Sequence, residues 1–278
     1  RDVGAQTRSV FWRLDRDSTE EDARAAAMAV HEAAGKSAGN GSLMRTAPVA
    51  LGYLADGREQ ALIEAVVASG TPTVAVLING RPLSVSWIAE HIPALVEAFH
   101  PGMLGGQAVA DVLFGFTNPS GRLPYTVPRT VGQLRAVYNH RPGDYFRTYR
   151  FTPNEPLFPF GYGLSYTSFR YDGVETPSEL MAGSPVPVRV TLTNTGGVAG
   201  DEVVIVYLHD EYASVTRPVK EVVAFERVTL QPGETRSLTL TIEPGQLAFY
   251  NVEMARVIEP GDFTIFVGDR EARFKVTG

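Results

Sequence analysis

Thr73-Val-Ala-Val-Leu-Ile-Asn-Gly80 is the stretch whose reading decides the fold. Its β-rich core has no polar alternation, which is the pattern of a strand covered on both faces. Upstream, Glu59 to Ser69 places Ala61, Leu62, Ala65, Val66 and Ala68 on one helical face. Downstream, Ile88 to His91 predicts a short helical turn, Ala94 to Phe99 a second buried strand, and Gly105 to Phe114 a helix packed through Ala108, Val109, Val112 and Leu113. Helix and strand alternate, so residues 58–172 read as part of a parallel α/β layer.

The texture changes on either side. Pro119 to Tyr166 is rich in Pro and Gly and predicts a long irregular segment wrapping its neighbours. Beyond it the apolar period becomes two, in Val186 to Leu192, Glu202 to Leu208, Val219 to Val228, Arg236 to Ile242 and Gly261 to Val267. Turn signals at Asn194-Thr-Gly-Gly197, Gln231-Pro-Gly233 and Glu259-Pro-Gly261 separate these runs, as in an antiparallel sandwich. Pro177 to Pro185 reads as the hinge. Residues 1–57 read as helical: Ser18-Thr-Glu-Glu-Asp22 starts a helix with a hydroxyl cap and acids, Ala23 to Ala34 continues it, and Leu43 to Leu54 resumes a helical pattern. The expected fold class is therefore α/β plus all-β, with a helical segment (1–57), a truncated α/β sandwich (58–172) and a β-sandwich (173–278).

Composition narrows the function. An apolar fraction of 44% and a charged fraction of 20% are those of a globular chain. A net charge of −6 with scattered basic residues argues against nucleic acid as a partner. No window approaches the roughly 18 apolar residues of a membrane helix, so no membrane partner is expected. The absence of cysteine removes disulfides and thiolate chemistry and leaves the compartment open, cytoplasmic or secreted. The five histidines never come closer than nine residues, so neither a metal site nor another cofactor is expected. The chain starts at Arg1 without a signal-like apolar stretch, which leaves targeting undecided.

Specific words then occur in order: Gln60-Ala-Leu-Ile63, Val74-Ala-Val-Leu-Ile-Asn-Gly80, His100-Pro-Gly102, Gly105-Gly-Gln-Ala108, Asp111-Val-Leu-Phe-Gly115, Asn118-Pro-Ser-Gly-Arg-Leu-Pro124 and Phe158-Pro-Phe-Gly-Tyr-Gly-Leu-Ser-Tyr-Thr167. Together they resemble the second, α/β sandwich domain of family 3 β-glucosidases and β-xylosidases. Asn194-Thr-Gly196, Gly200-Asp-Glu-Val203, Val206-Tyr207, Arg217-Pro-Val-Lys220 and Glu259-Pro-Gly261 are similar to the fibronectin type III-like domain that follows it there. Each word also has a scaffold reading, since prolines, glycines and aromatics build turns and anchors. In the first segment, Lys36-Ser-Ala-Gly-Asn-Gly-Ser-Leu-Met-Arg-Thr-Ala-Pro48, with Asp2 to Arg8, resembles an internal piece of the ADP-ribosylglycohydrolase family. That resemblance would place Gly39, Asn40, Gly41 and Ser42 against ADP-ribose; the plain alternative is a loop between two helices.

The chemistry implied by the main resemblance is retaining glycoside hydrolysis, which needs two carboxyl groups about 5–5.5 Å apart. The family's nucleophilic aspartate belongs to a separate barrel domain, and its acid/base glutamate lies shortly before the helix matching Gln60 to Val67. Here Asp56-Gly-Arg58 only faintly echoes that acidic loop, and Met103-Leu104 replaces a pair that is commonly polar and acidic. The remaining catalytic candidates are Glu59, Asp111 and His100, with Asp144, Glu155 and His140 behind them; each has an ordinary reading as surface charge or turn residue. Ser42, Ser120 and Ser165 lie in glycine-containing turns, but none gives the GxSxG of a nucleophile elbow; Gly163-Leu-Ser165 lacks the closing glycine. The expectation is a family 3-type C-terminal unit with incomplete two-carboxylate machinery. If active, it would be a β-glycosidase taking a β-glucoside or β-xyloside as its carbohydrate partner. The alternatives are a non-catalytic carbohydrate- or partner-binding module, stacking sugars on Trp87, Tyr125, Tyr145, Tyr149 or Phe151, and an esterase-like hydrolase with a new site at the junction of the two pieces. A truncated sandwich leaves apolar surface to cover, so either residues 11–54 cover it or the chain forms a homo-oligomer there.

Overall fold

The computed structural model of the chain describes residues 49–51 and 58–62 by their backbone, and residues 63–133, 135–143 and 151–278 with their side chains. Two compact units emerge, one running to Gly80 and including Trp87–Pro101, the other made of Arg81–Ser86 and Gly102–Gly278.

In the first unit, helix α1 (Arg58–Ala68) precedes strand β2 (Val74–Leu77), which lies between β1 (Val49–Leu51) and β3 (Ala94–Glu97). Both pairings are parallel, giving the order β1-β2-β3. Ala75, Val76 and Leu77 are buried, as the unbroken apolar run requires of a central strand. Strand β3 is at the sheet edge and stays partly exposed, contrary to its reading as a buried strand. Helix α2 (Ser86–His91) buries Ile88. A second correction concerns Leu43 to Leu54, which read as helical: Val49–Leu51 is the β1 strand. Periodicity does not separate helix from strand in a short apolar run, and the open ladder of β2 settles the choice. The rest of the expected N-terminal helical segment lies outside the described residues.

In the second unit, helix α3 (Gly105–Leu113) is followed by a segment without β-strand or α-helix among its described residues, as the Pro/Gly texture predicts. The segment folds on itself: Val127 N donates to Phe158 O at 2.8 Å and Gly161 N to Leu123 O at 2.8 Å. The buried Gln133 side chain accepts from Arg129 N at 2.6 Å and donates to Pro153 O at 2.8 Å.

The sandwich that follows comprises β4 (Phe169–Glu175), β5 (Glu179–Met181), β6 (Val186–Asn194), β7 (Gly200–Asp210), β8 (Glu221–Leu230), β9 (Thr235–Ile242), the short helix α4 (Pro244–Leu247), β10 (Phe249–Tyr250), β11 (Arg256–Val257), β12 (Gly261–Val267) and β13 (Arg270–Thr277). One sheet has the order β5-β13-β12-β7-β8 and the other β4-β6-β9. Val186, Val188, Val190 and Leu192 on β6 and Val204 and Val206 on β7 are fully buried between the sheets. Each such side chain stabilises the fold by about 1.5–3 kcal/mol. Pro177 to Pro185 is not a hinge: it lies within the sandwich, where β5 pairs in parallel with β13. Its Pro and small residues serve a crossing between the two sheets.

The irregular segment covers this sandwich. Strand β7 buries every second residue toward the core, yet its other phase carries Ile205 and Tyr207. Phe160 and Tyr138 pack on Tyr207, with ring centroids 6.4 and 6.1 Å away, and stack on each other at 4.1 Å. Gly161 makes the approach possible, because a Cβ there would sit 2.7 Å from the Tyr207 hydroxyl and its φ is +81°. Asn118 donates to Ala199 O at 3.0 Å and accepts from Ser165 Oγ and Tyr166 N. Arg122 donates to Glu202 Oε2 at 2.5 Å, and the hydroxyl of Tyr171 on β4 donates to Glu202 Oε1 at 2.9 Å. Burial holds the Tyr171 hydroxyl well above the usual tyrosine range, reinforced by the Glu202 charge.

At the far end of β7, Asp210 is buried with Arg217 Nε 3.9 Å from its Oδ2. Arg217 is shared, bonding Glu221 at 2.8 Å and lying 4.8 Å over the Phe249 ring. Burial therefore pushes the Asp210 carboxyl above the ordinary carboxylate range, opposed by the Arg217 charge.

Two outcomes follow. Arg122→Met should lower unfolding free energy by about 3–5 kcal/mol, because Glu202 stays buried without its cation. Urea unfolding checks this, and Arg122→Met/Glu202→Leu should recover most of the loss. For Asp210, the folded chain holds its proton to higher pH than the unfolded chain. Stability should therefore fall as pH rises from the ordinary carboxylate range through the raised value, and the loss is complete above it. Asp210→Asn should remove that step from a series of melting temperatures taken between pH 4 and 7.

Candidate functional site

The most organised polar group of the first unit lies where β2 and β3 end. Asn79 lies two residues beyond Leu77, the last residue of β2, and is buried. Its Nδ2 donates to both oxygens of Glu97, at 3.1 and 3.0 Å, and Phe99 N donates to Glu97 Oε1 at 3.0 Å. Asn79 N donates to Phe99 O at 3.1 Å, so pairing runs past the strand ends. Phe99 has φ of +51°, a conformation that a bulky side chain rarely adopts. The Glu97 carboxylate, by binding the Phe99 amide, helps hold it there.

His100 comes next and is exposed. Its Nε2 lies 2.5 Å from where a Gly80 Cβ would stand, so only glycine lets the ring rest against that turn. A carboxylate fixed from two sides, a strained backbone and an accessible imidazole thus meet at the carboxyl ends of parallel strands. In open α/β sheets that edge is where ligands bind, and strained residues concentrate at such sites. The group can accept hydrogen bonds from hydroxyls and exchange a proton through His100. It supplies one oriented carboxylate.

Of the sequence candidates among the described residues, only His100 falls in this group. Asp111 is on α3, where its Oδ1 accepts from Gln107 one helical turn away at 2.6 Å, the geometry of a surface pair. Glu59 lies on α1, with its side chain outside the described residues, as are Gly39, Asn40, Gly41 and Ser42. Trp87 stacks on His91 at 4.3 Å, Tyr125 is half-buried, and Phe151 is exposed. Tyr145, Tyr149 and Asp144 lie outside the described residues. Sequence reasoning missed Asn79 and Glu97. The available signal was Glu97 itself, a charge inside the apolar run Ala94 to Phe99. Among the described residues no three His, Asp or Glu gather to hold a metal ion, and no helix is long and apolar enough to cross a membrane.

With this geometry in place, the comparisons define the class. The description "Glycosyl hydrolase family 3 C-terminal domain" matches residues 15–166, and "Fibronectin type III-like domain" matches residues 202–271. The first covers more than half of the chain, which therefore belongs to glycoside hydrolase family 3. A β-xylosidase of Formosa agariphila is 46% identical over 216 residues, covering 76% of this chain and 30% of that protein. The periplasmic β-glucosidase of Salmonella typhimurium is 43% identical over 225 residues, covering 77% of this chain and 29% of that protein. The chain thus spans about three-tenths of the curated relatives it matches. Among solved structures, the β-glucosidase of Listeria innocua in complex with isofagomine is 36% identical with a TM-score of 0.82, over 94% of this chain and 39% of that one. The β-glucosidase EmGH1 of Erythrobacter marinus is 34% identical with a TM-score of 0.81, over 95% and 38%. Because the family match begins at residue 15, it includes most of the stretch that resembled an ADP-ribosylglycohydrolase, and no comparison supports that second likeness.

Replacing Glu97 by Leu removes the acceptor that binds both the Asn79 amide and the Phe99 N–H. The first unit should lose about 1–3 kcal/mol, read as faster exchange of the amides in β2 and β3, while amides of β6 and β7 keep their protection.

Proposed function

We propose that this chain is the α/β and fibronectin-like part of a β-glycosidase acting on β-glucosides or β-xylosides. Its contribution is a scaffold and one side of a carbohydrate site, and its 278 residues hold incomplete two-carboxylate machinery. One observation carries the reading: the chain matches, over 94% of its length, a β-glucosidase solved with glucose, isofagomine and, as a mutant, laminaribiose. The carboxyl edge of the parallel sheet supports it. Glu97 is already bound by Asn79 and Phe99, which suits a positioning group better than a free nucleophile or acid.

Retaining hydrolysis requires a second, opposed carboxyl. Asp111 is engaged with Gln107, and the side chain of Glu59 lies outside the described residues. The ADP-ribosylglycohydrolase likeness plays no part in the proposal, and neither does an esterase site.

Assays with 4-nitrophenyl β-glucoside, 4-nitrophenyl β-xyloside and 4-nitrophenyl acetate test this. The 278-residue chain should release at most traces of nitrophenol from the two glycosides and none from the ester above background. Sustained turnover of a glycoside by this chain alone would overturn the incompleteness. Ester turnover that exceeds both glycosides would overturn the glycosidase reading.

A further inference from the structure

A Cβ at Gly80 would stand 2.5 Å from His100 Nε2, so the imidazole rests where a side chain would otherwise be. That glycine has a chemical consequence for the residue before it. Asparagine followed by glycine is the pairing most open to deamidation, because no side chain hinders the glycine nitrogen as it approaches the asparagine Cγ. The chain has two such pairs, Asn40-Gly41 and Asn79-Gly80. The first lies outside the described residues, and the second sits in the polar group beyond the ends of β2 and β3.

Ring closure asks two things of Asn79: its Cγ must swing onto Gly80 N, and its Nδ2 must leave. Glu97 opposes both. Asn79 Nδ2 donates to Glu97 Oε1 and Oε2 at 3.1 and 3.0 Å, and bonds to an ionised acceptor fix the side chain firmly. An amide that gives its hydrogens to an anion also keeps more electron density on its carbonyl carbon, which makes Cγ a poorer electrophile. The backbone is held as well, since Asn79 N donates to Phe99 O at 3.1 Å and the residue is buried.

We propose that Asn79 is a deamidation site that Glu97 holds in check. In the reaction Gly80 N gives up its proton and bonds to Asn79 Cγ, the Cγ–Nδ2 bond breaks, and Nδ2 takes up the proton and leaves as ammonia. Water then opens the resulting succinimide at either carbonyl, giving aspartate or isoaspartate at position 79. One water enters, one ammonia leaves, and no oxidant or reductant is consumed. The aspartate product sets a second carboxylate against Glu97 where a donor had been, and like charges that close repel. The modified edge thereby loses the side-chain bonds that join the end of β2 to β3. The inference goes beyond the glycosidase reading and stands without it.

The test incubates the chain at mildly alkaline pH, folded and unfolded in urea, and follows aspartate and isoaspartate at position 79 by peptide mass spectrometry. In the folded wild type Asn79 should deamidate at least about tenfold more slowly than in urea, because reaction then waits on local opening. Glu97→Gln has the same shape but one acceptor oxygen instead of two, and should raise the folded rate at least about fivefold. Ile63→Ala opens a cavity at a buried position of α1 and removes none of the polar groups around Asn79, so it should raise the rate less. Amide exchange in β2 reports whether each variant is folded, and the wild-type comparison needs no variant at all. Equal rates in the folded and unfolded wild type would sink the proposal. So would an unchanged rate in Glu97→Gln, or an acceleration by Ile63→Ala that matches it.

Discussion

The Glu202 carboxylate is the constraint on which the second unit depends. It stands on β7, in the core-facing phase of the five-stranded sheet, where an unpaired charge costs several kcal/mol. Arg122 reaches it from the irregular segment and Tyr171 from the opposite sheet, one to each oxygen. Three layers must be in place before that charge is satisfied. The arrangement works as a register pin: a slip of one residue in β7 would send Glu202 to the outer face and Val203 into its place.

The same logic explains why residues without regular structure are so well placed. The outer face of β7 carries Ile205 and Tyr207, where an independent sandwich would show polar side chains. Phe160 and Tyr138 fill that face, and Gly161 permits the contact. The word Phe158-Pro-Phe-Gly-Tyr-Gly-Leu-Ser-Tyr-Thr167 is thus a third layer written as loop. Asn118 and Arg122, from the word that opens the segment, act as its fasteners.

Much of this was legible in the residues, for reasons that also explain the failures. The unbroken run at Val74 to Leu77 announced a central strand because burial on both faces leaves no polar position. The alternation in β6 and β7 announced a sandwich because one face of each strand is core. Val49–Leu51 was misread because three apolar residues carry no period, and their neighbour β2 decides. Pro177 to Pro185 looked like a hinge because composition cannot show that its middle pairs with a strand almost a hundred residues later. Of the candidate site, His100 was found by type. Asn79 and Glu97 were missed because their meaning is a mutual contact, made only when β2 and β3 lie side by side. Family likeness, carried by ordered words, proved a sounder guide than any single acid or histidine.

The covering of β7 by the irregular segment bears on inheritance. A sandwich whose outer wall is furnished by the preceding stretch of chain cannot be shuffled between genes as a free module. A recombination break between residues 167 and 169, at the doorstep of β4, would strip the cover from Tyr207 and take Arg122 from Glu202 in the same event. Selection should therefore keep crossovers upstream of Asn118, so that cover and sandwich descend together as a single heritable block even though only one of them has regular structure.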